Sequence, residues 1–375
     1  MAHLSESRAL PDTPADAARL RLGVLDIGSN SAHLRIADLA PGEPPLPVRS
    51  VKSAVRLAES TDRHGVIGRP AVGRLIGAVR EASAAASAAG VGELLPLATS
   101  ALRDAANRDD VAAEVRAATG VELGFLSGEQ EARLTFLAVR RWYGWSAGPL
   151  LLADIGGGSM ELAYGAGDEP EIALSLPLGA GRLTRHHLPS RPPVRKRTRK
   201  ALRAHVRSVL DEATTGLAER PAPVRAVATS KTFTQLARLC GAPKAKAGPY
   251  APRTLARADL HGRIPELAKL PDEERAKLRG VKRSRAHQIL AGAIVAEAVM
   301  DVLSLDRLDV CPWALREGIF LHRLEALAAG RPAGPPFGTA ADRAGAPYPC
   351  PVPVRPSRPD AERKAVARLH AVGTG

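Results

Sequence analysis

Apolar residues run along this chain in two rhythms, and the order of those rhythms repeats. "RLGVLDI" is a nearly continuous apolar run around Asp26, "AHLRIAD" alternates with a period of two, and a third extended stretch lies near "LPVRSVKSAVRLA". Runs of this kind, bounded by small turn residues, predict a buried strand and its half-buried neighbours. The period then changes. "RPAVGRLIGAVREASAAASAAG" has helical spacing and stops at Gly90, which is placed to cap it. The strand "ELLPLATSA" and the helix "NRDDVAAEVRAATG" follow, with Asn107 at the N-cap position. "SGEQEARLTFLAVRRWYG" begins with Ser127 and carries Gln130 three positions on, a capping-box pattern that puts Glu129 and Glu131 in the first turn of a helix.

The cycle then restarts. "LLLADIGGGSMELAYG" is again strand, turn and strand, and "EIALSLPLG" supplies a third strand. A basic helical stretch follows, then a strand "VRAVATS" leading into the helix "KTFTQLARLCG", and a looser segment to about residue 256. A long apolar helix over roughly 284–304, the strand "RLDVC" and the helix "WALREGIFLHRLEALAAG" complete the pattern. Strands followed by helices, twice over, predict an α/β protein made by duplication. The expected layout is a flexible N-terminus (1–20), a first domain (21–140), a hinge near 140–148, a second domain (146–328) and a disordered, basic, Pro-rich tail (330–375) with no enzymatic role.

With 375 residues the chain is long enough for two such cores, and 45% hydrophobic with 25% charged residues is the composition of a soluble globular protein. Aromatics are only 3%, so the cores fall to Ala, Leu, Val and Ile. Cys240, Cys311 and Cys350 lie far apart, which argues against a disulfide framework or zinc site and for a reducing, cytoplasmic setting. No signal-peptide core opens the sequence, and the most apolar run contains Glu297 and Asp301, too charged and too short for a bilayer. The formal charge of +14 suggests an anionic partner, or else a general Arg-rich bias.

The repeated turn carries the chemistry. Gly28-Ser29-Asn30-Ser31 and Gly156-Gly157-Gly158-Ser159 each follow an Asp at a strand end, and small residues there let backbone N–H groups close on a phosphate. Asp26 and Asp154 can hold Mg2+ or its waters. A strand rather than a helix follows each turn, and no Gly-Lys-Ser/Thr is present, so the unit is a β-hairpin and not a P-loop. One such turn alone reads equally well as structural punctuation. Two in register, one per half, predict a cleft that clamps a single phosphoryl group from opposite sides.

Finer wording narrows the choice. "DIGSNS", "KSAVRLAES", "ATSALRDAANRDD", "SGEQEARL", "DIGGGSMEL", "LPLGAGRLT" and "ALREG" occur in an order that resembles the Ppx/GppA phosphatases, the exopolyphosphatase and guanosine pentaphosphate phosphohydrolase family, over about residues 21–326. The resemblance implies two ribonuclease-H-like (actin-like ATPase) domains around a central cleft, in the short form without an extra helical module. It implies Mg2+-dependent hydrolysis of the terminal phosphoanhydride of inorganic polyphosphate. Its alternatives are 5′-phosphate hydrolysis of guanosine pentaphosphate, or a non-catalytic binder of either. Homodimers are common in the family, and the sparse aromatics fit polyphosphate better than nucleic acid.

By the same resemblance Glu131 is the catalytic carboxylate that orients or deprotonates water, with Glu129 the weaker candidate. The bland alternative for Glu131 is a first-turn Glu favoured by the helix dipole. Asp26, Asp154 and Glu161 match magnesium positions, and Arg56 and Arg103 match phosphate-facing arginines, although either arginine also suits a surface ion pair. His33, in the place of Glu161, reads as a structural histidine. The basic helix with Arg195, Lys196, Arg199, Lys200, Arg203 and Arg207 is either a solvated face or a track for polyanions. Two departures stand out: "CPW" precedes "ALREG" where many relatives carry an acidic group, and Lys231 follows "VATS" where they carry Gly, a change awkward for a purine and suited to an anion.

Overall fold

A computed structural model describes residues 19–189, 192–330 and 352–353. The first apolar run becomes β1 (Leu20–Ile27), with Leu22, Val24, Leu25 and Ile27 buried. It turns back antiparallel as β2 (Ser31–Leu39) and again as β3 (Pro47–Ala54). Helix α1 (Arg69–Ala88) crosses to β4 (Glu93–Ala98), which lies parallel to β1 on its other side. The short α2 (Ser100–Arg103) and α3 (Arg108–Thr119) lead to β5 (Gly124–Phe125), parallel to β4, and α4 (Gly128–Tyr143) ends the first half.

The second half repeats this order. Strands β6 (Leu150–Ile155), β7 (Met160–Gly165) and β8 (Ile172–Leu176) form the antiparallel meander. Helices α5 (Ala180–His187), α6 (Lys196–Ala213) and α7 (Thr215–Ala218) cross to β9 (Arg225–Thr229), parallel to β6. Then come α8 (Ser230–Leu239), β10 (Thr254–Ala256), α9 (Arg257–Lys269), α10 (Asp272–Arg275), α11 (Ile289–Val302), β11 (Arg307–Val310) and α12 (Leu315–Ala328). The first sheet runs β3-β2-β1-β4-β5, and the second runs β8-β7-β6-β9-β11 with β10 added at its edge. The hairpin registers coincide: Asp26 faces His33 as Asp154 faces Glu161.

Local signals explain several boundaries. Gly90 sits at φ +66° after α1, where Val91 N–H donates to Ala86 O and Gly90 N–H to Ser87 O, a glycine-dependent helix stop. Ser127 caps α4: Gln130 N–H donates to its Oγ at 3.1 Å, and its own N–H donates to Gln130 Oε1 at 2.8 Å. Asn107 departs from expectation. It occupies the N-cap position of α3 but does not cap it, because its amide is spent on both backbone groups of Ile67.

The last helix also departs. Grouped by sequence with the second domain, α12 crosses back, and Ile319 and Phe320 pack with Leu22, Val24, Leu97 and Leu134 against the first sheet. The physical reason is a shared seam: α4 and α12 run side by side, and a Cβ at Gly318 would lie 1.9 Å from the Leu134 carbonyl oxygen. Helix α4 in turn sends Phe136 and Val139 against Leu150, Leu152 and Val227 of the second sheet. Two helices thus lie between the sheets and lock the halves together.

Helix α11 is apolar all round because α5, α6, α8 and α9 surround it. Its two acids are used internally: Glu297 pairs with Arg203 and His261, and Asp301 with Arg207 and Arg257. Part of the basic stretch on α6 is therefore a packing partner of α11. Among the described residues no helix is long and apolar enough to cross a membrane. The N-terminal stretch, Cys350 and the Pro-rich tail lie outside the described residues, apart from Val352–Pro353 (β12), which pairs antiparallel with β4.

Gly318→Ala should lower stability by about 2–3 kcal/mol, since the added methyl must displace the α4 backbone. Urea unfolding reads this as a lower midpoint, and an unchanged midpoint would contradict the close α4–α12 contact.

Candidate active site

Both hairpin turns open into one cleft of about 200 Å³, which takes lining from Gly28, Ser29, Asn30 and Ser31 on one side and Gly156, Gly157 and Ser159 on the other. Protein behind each turn holds its carbonyls. Asn30 O accepts from Val55 N–H and Arg56 N–H, Ser29 O accepts from Ala58 N–H, and Gly157 O accepts from Arg182 N–H. The N–H groups of Ser29, Asn30, Gly157 and Gly158 donate to no protein acceptor among the described residues. The Nδ2 of Asn30 is buried and likewise without a partner among them. Buried donors left open in two facing turns are the requirement for an anion site.

The turns face each other at contact distance. A Cβ at Gly157 would lie 2.7 Å from the Ser29 side chain, and one at Gly158 would lie 2.6 Å from Ser100 Oγ. Gly157 and Gly158 of the second turn are thus dictated by the first half of the chain, whereas a Cβ at Gly156 would meet Ser159 O of its own hairpin. Gly158 itself lies just outside the cleft, in a neighbouring hollow shared with Ser29, Ser100 and Arg182.

Four carboxylates line the cleft: Asp26, Glu131, Asp154 and Glu161. Burial raises each above the ordinary carboxyl range. Asp154 is pushed up to about 6 by burial, with Asp26 adding to the shift, while Thr229 Oγ1 donates to it at 2.5 Å. Glu161 is pushed up to about 7 by burial and by Asp154, and accepts from Ser175 Oγ at 2.9 Å. Asp26 is raised chiefly by burial, against the pull of Arg316, whose Nη1 donates to it at 2.9 Å. Glu131 is raised well above its usual value by burial and by Glu161, and Arg103 holds it by a direct ion pair.

The remaining expected residues divide. Arg103 stands behind Glu131, anchored also to Leu126 O and Asp104, and is not among the residues lining the cleft. Arg56 does not reach the site: its side chain is exposed, and at φ +48° its backbone N–H serves the first turn instead. Its backbone N–H donates to Asn30 O at 3.1 Å. Glu129 is taken by Arg133 at 2.8 Å, away from the cleft. His33, expected to be structural, also lines the cleft opposite Asp26; its ring lies 2.6 Å from Ser50 Oγ, and burial with nearby cations pushes its imidazole down to about 3.

Four cations also line it: Lys231, which the sequence marked as suited to an anion, and Arg316, Lys52 and Arg285, which sequence reasoning did not place in the site. Arg316 comes from "ALREG" at the start of α12, carried there by the crossover to the first half. A model of the Ppx/GppA phosphatase family, built from many sequences, matches residues 35–327. The chain belongs to the Ppx/GppA phosphatase family.

Within that family the chain is 51% identical over 311 residues to exopolyphosphatase 1 of Mycobacterium tuberculosis, covering 83% of this chain and 90% of that one. Exopolyphosphatase 2 of the same organism is 30% identical over 326 residues, covering 81% and 98%. Among solved structures, the Cytophaga hutchinsonii exopolyphosphatase superposes with a TM-score of 0.73 at 24% identity, covering 82% of this chain and 98% of that one. The Aquifex aeolicus PPX-GPPA enzyme gives 0.68 at 26% identity, covering 81% and 99%. The fold is that of the family's solved structures.

Gly157→Val should wedge the two turns apart at Ser29 and weaken binding of tripolyphosphate by about tenfold or more. Titration calorimetry reads this directly, and wild-type affinity in the variant would contradict the paired-turn site.

Proposed function

We infer that the chain is an exopolyphosphatase that hydrolyses the terminal phosphoanhydride of inorganic polyphosphate and releases orthophosphate. The observation that carries this reading is the convergence of both open-donor turns and the buried, arginine-held Glu131 on one cleft. The 51% identity to a mycobacterial exopolyphosphatase supports the same reaction class.

The terminal phosphoryl group sits between the turns, where the free N–H groups of Ser29, Asn30 and Gly157 meet its oxygens. Glu131 orients a water for in-line attack and accepts its proton, while Arg103 fixes the carboxylate's position. The new P–O bond forms as the bridging P–O bond breaks, and the electron pair leaves with the shortened chain. Burial and Glu161 raise the basicity of Glu131, which favours it as a proton acceptor, while the ion pair with Arg103 opposes that rise and fixes the carboxylate's position.

Magnesium fits the donors present. No group of three His, Cys, Asp or Glu side chains able to hold a metal ion occurs among the described residues. Mg2+ needs only one or two carboxylates, with waters and phosphate oxygens completing its shell. Asp26, Asp154 and Glu161 are hard oxygen donors on the cleft walls, and one or two of them would hold it. When bound, the ion supplies positive charge to the phosphate oxygens as negative charge gathers there.

Glu131→Gln should lower kcat for orthophosphate release by about a hundredfold or more, with KM changed far less, because the amide keeps its shape but takes no proton. A phosphate-release assay with chains of defined length measures both constants. Full turnover by the variant would remove Glu131 from this role. Tight binding of chains by a wild type that releases no phosphate would make the protein a binder.

A further inference from the structure

Aromatic side chains are scarce in this chain, and their distribution is uneven. Of 3 Trp and 4 Tyr, all three Trp and two of the Tyr gather around the end of α4, and none of them lines the active cleft. Trp142 and Tyr143 end the helix, and Trp145 follows it. Tyr250 stacks on Trp142 with ring centroids 5.2 Å apart, and Trp313 tilts against the same ring at 5.4 Å. Trp142, Tyr143 and Tyr250 line, with Pro249, Pro252 and Pro312, a surface hollow of about 240 Å³.

The rings are open to water, yet they are held in place. Tyr250 and Trp145 are each 84% exposed, and Val224, packed on Gly148, is 71% exposed. Folding gains little from apolar surface left this open. Even so, the Arg253 guanidinium pins the loop that carries Tyr250, donating to the backbone carbonyls of Pro243, Lys244, Gly248 and Ala251. Arg225 lies 4.7 Å from the centre of the Tyr143 ring. A fixed, exposed aromatic hollow of this kind suits a polyproline II segment, which arrives already extended and lays its rings on aromatic faces.

The chain supplies such a segment beside the hollow. Contacts between α4 and α12 advance by seven residues on both helices, from Leu134–Gly318 to the Arg141–Glu325 ion pair at 2.7 Å, so the two run parallel and end together. Residues 331–375 follow α12 and open with "RPAGPPFGTA", in which Pro332 and Pro335 have P-x-x-P spacing and Pro336 and Phe337 extend the run. Val352–Pro353 pairs with β4 at Glu93, which Arg323 of α12 holds at 2.8 Å, so the chain between leaves and rejoins the same end of the molecule. Seven residues of polyproline II cover about 22 Å, roughly two helix diameters. We propose that residues 332–337 dock in the Trp142–Tyr250 hollow of their own chain and tie the end of α12 to the end of α4.

Tryptophan emission tests this, because every Trp lies at or beside the hollow. In the full-length protein carrying Pro332→Ser, Pro335→Ser and Pro336→Ser together, emission should shift to the red as water reaches the rings. A synthetic peptide of residues 331–340 should reverse that shift along a saturable curve. The same peptide should bind wild type at least about tenfold more weakly, since the tethered segment already fills the hollow. Adding Tyr250→Ala to the triple variant should weaken the peptide about tenfold. Absence of a saturable shift, equal affinity for wild type and the triple variant, or full affinity after Tyr250→Ala would overturn the proposal. Wild-type emission that changes on dilution would also overturn it, by making the occupant a second copy of the chain.

Discussion

The two turns touch, and this contact constrains most of what surrounds it. Ser29 occupies the space that a side chain at Gly157 would need, and Ser100 does the same at Gly158. Behind the second turn, a Cβ at Gly179 would fall 2.3 Å from the Gly158 carbonyl carbon, which accounts for the glycine of "LPLGAG". Such closeness requires the two sheets to hold a fixed relation, since loop mobility alone would not keep open donors in register. The α4–α12 pair supplies that relation, with Leu134 facing one sheet and Phe136 the other.

The electrostatics follow from the same closure. Bringing the hairpins together buries four carboxylates, and each becomes harder to ionise. Arg103 and Arg316 each take one of them as partner. Lys52, Lys231 and Arg285 line the same cleft and form no ion pair among the described residues, although Arg285 acts on Asp154 through space. A ligand with repeated negative charge suits that arrangement, and its terminal unit meets the open N–H groups of the turns.

Much of this was legible in the sequence because it is written in local patterns. The paired hairpins follow from the repeated Asp, Ile, Gly and Ser, and the α4 start follows from Ser127 and Gln130. What escaped depends on distant placement. The apolar face of α12, with Ile319 and Phe320, looks the same whichever sheet it covers, so neither its crossover nor the delivery of Arg316 to Asp26 could be read from spacing. Arg285 sits in a 3-10 segment just before α11, where nothing in the pattern marks it as a cleft residue. Asn107 shows the converse: its cap position was visible, but its amide went to both backbone groups of Ile67, forty residues away. Arg203 and Arg207 read as surface charge until α11 supplied their acids.

Simultaneous grip by both turns is most directly tested by amide chemical shifts of 15N-labelled Glu131→Gln protein titrated with tripolyphosphate. Perturbation of Ser29, Asn30, Gly157 and Gly158 together, saturating along one binding curve, is the expected result. Shifts confined to one turn, or two curves with separate midpoints, would mean that the hairpins do not share a phosphoryl group.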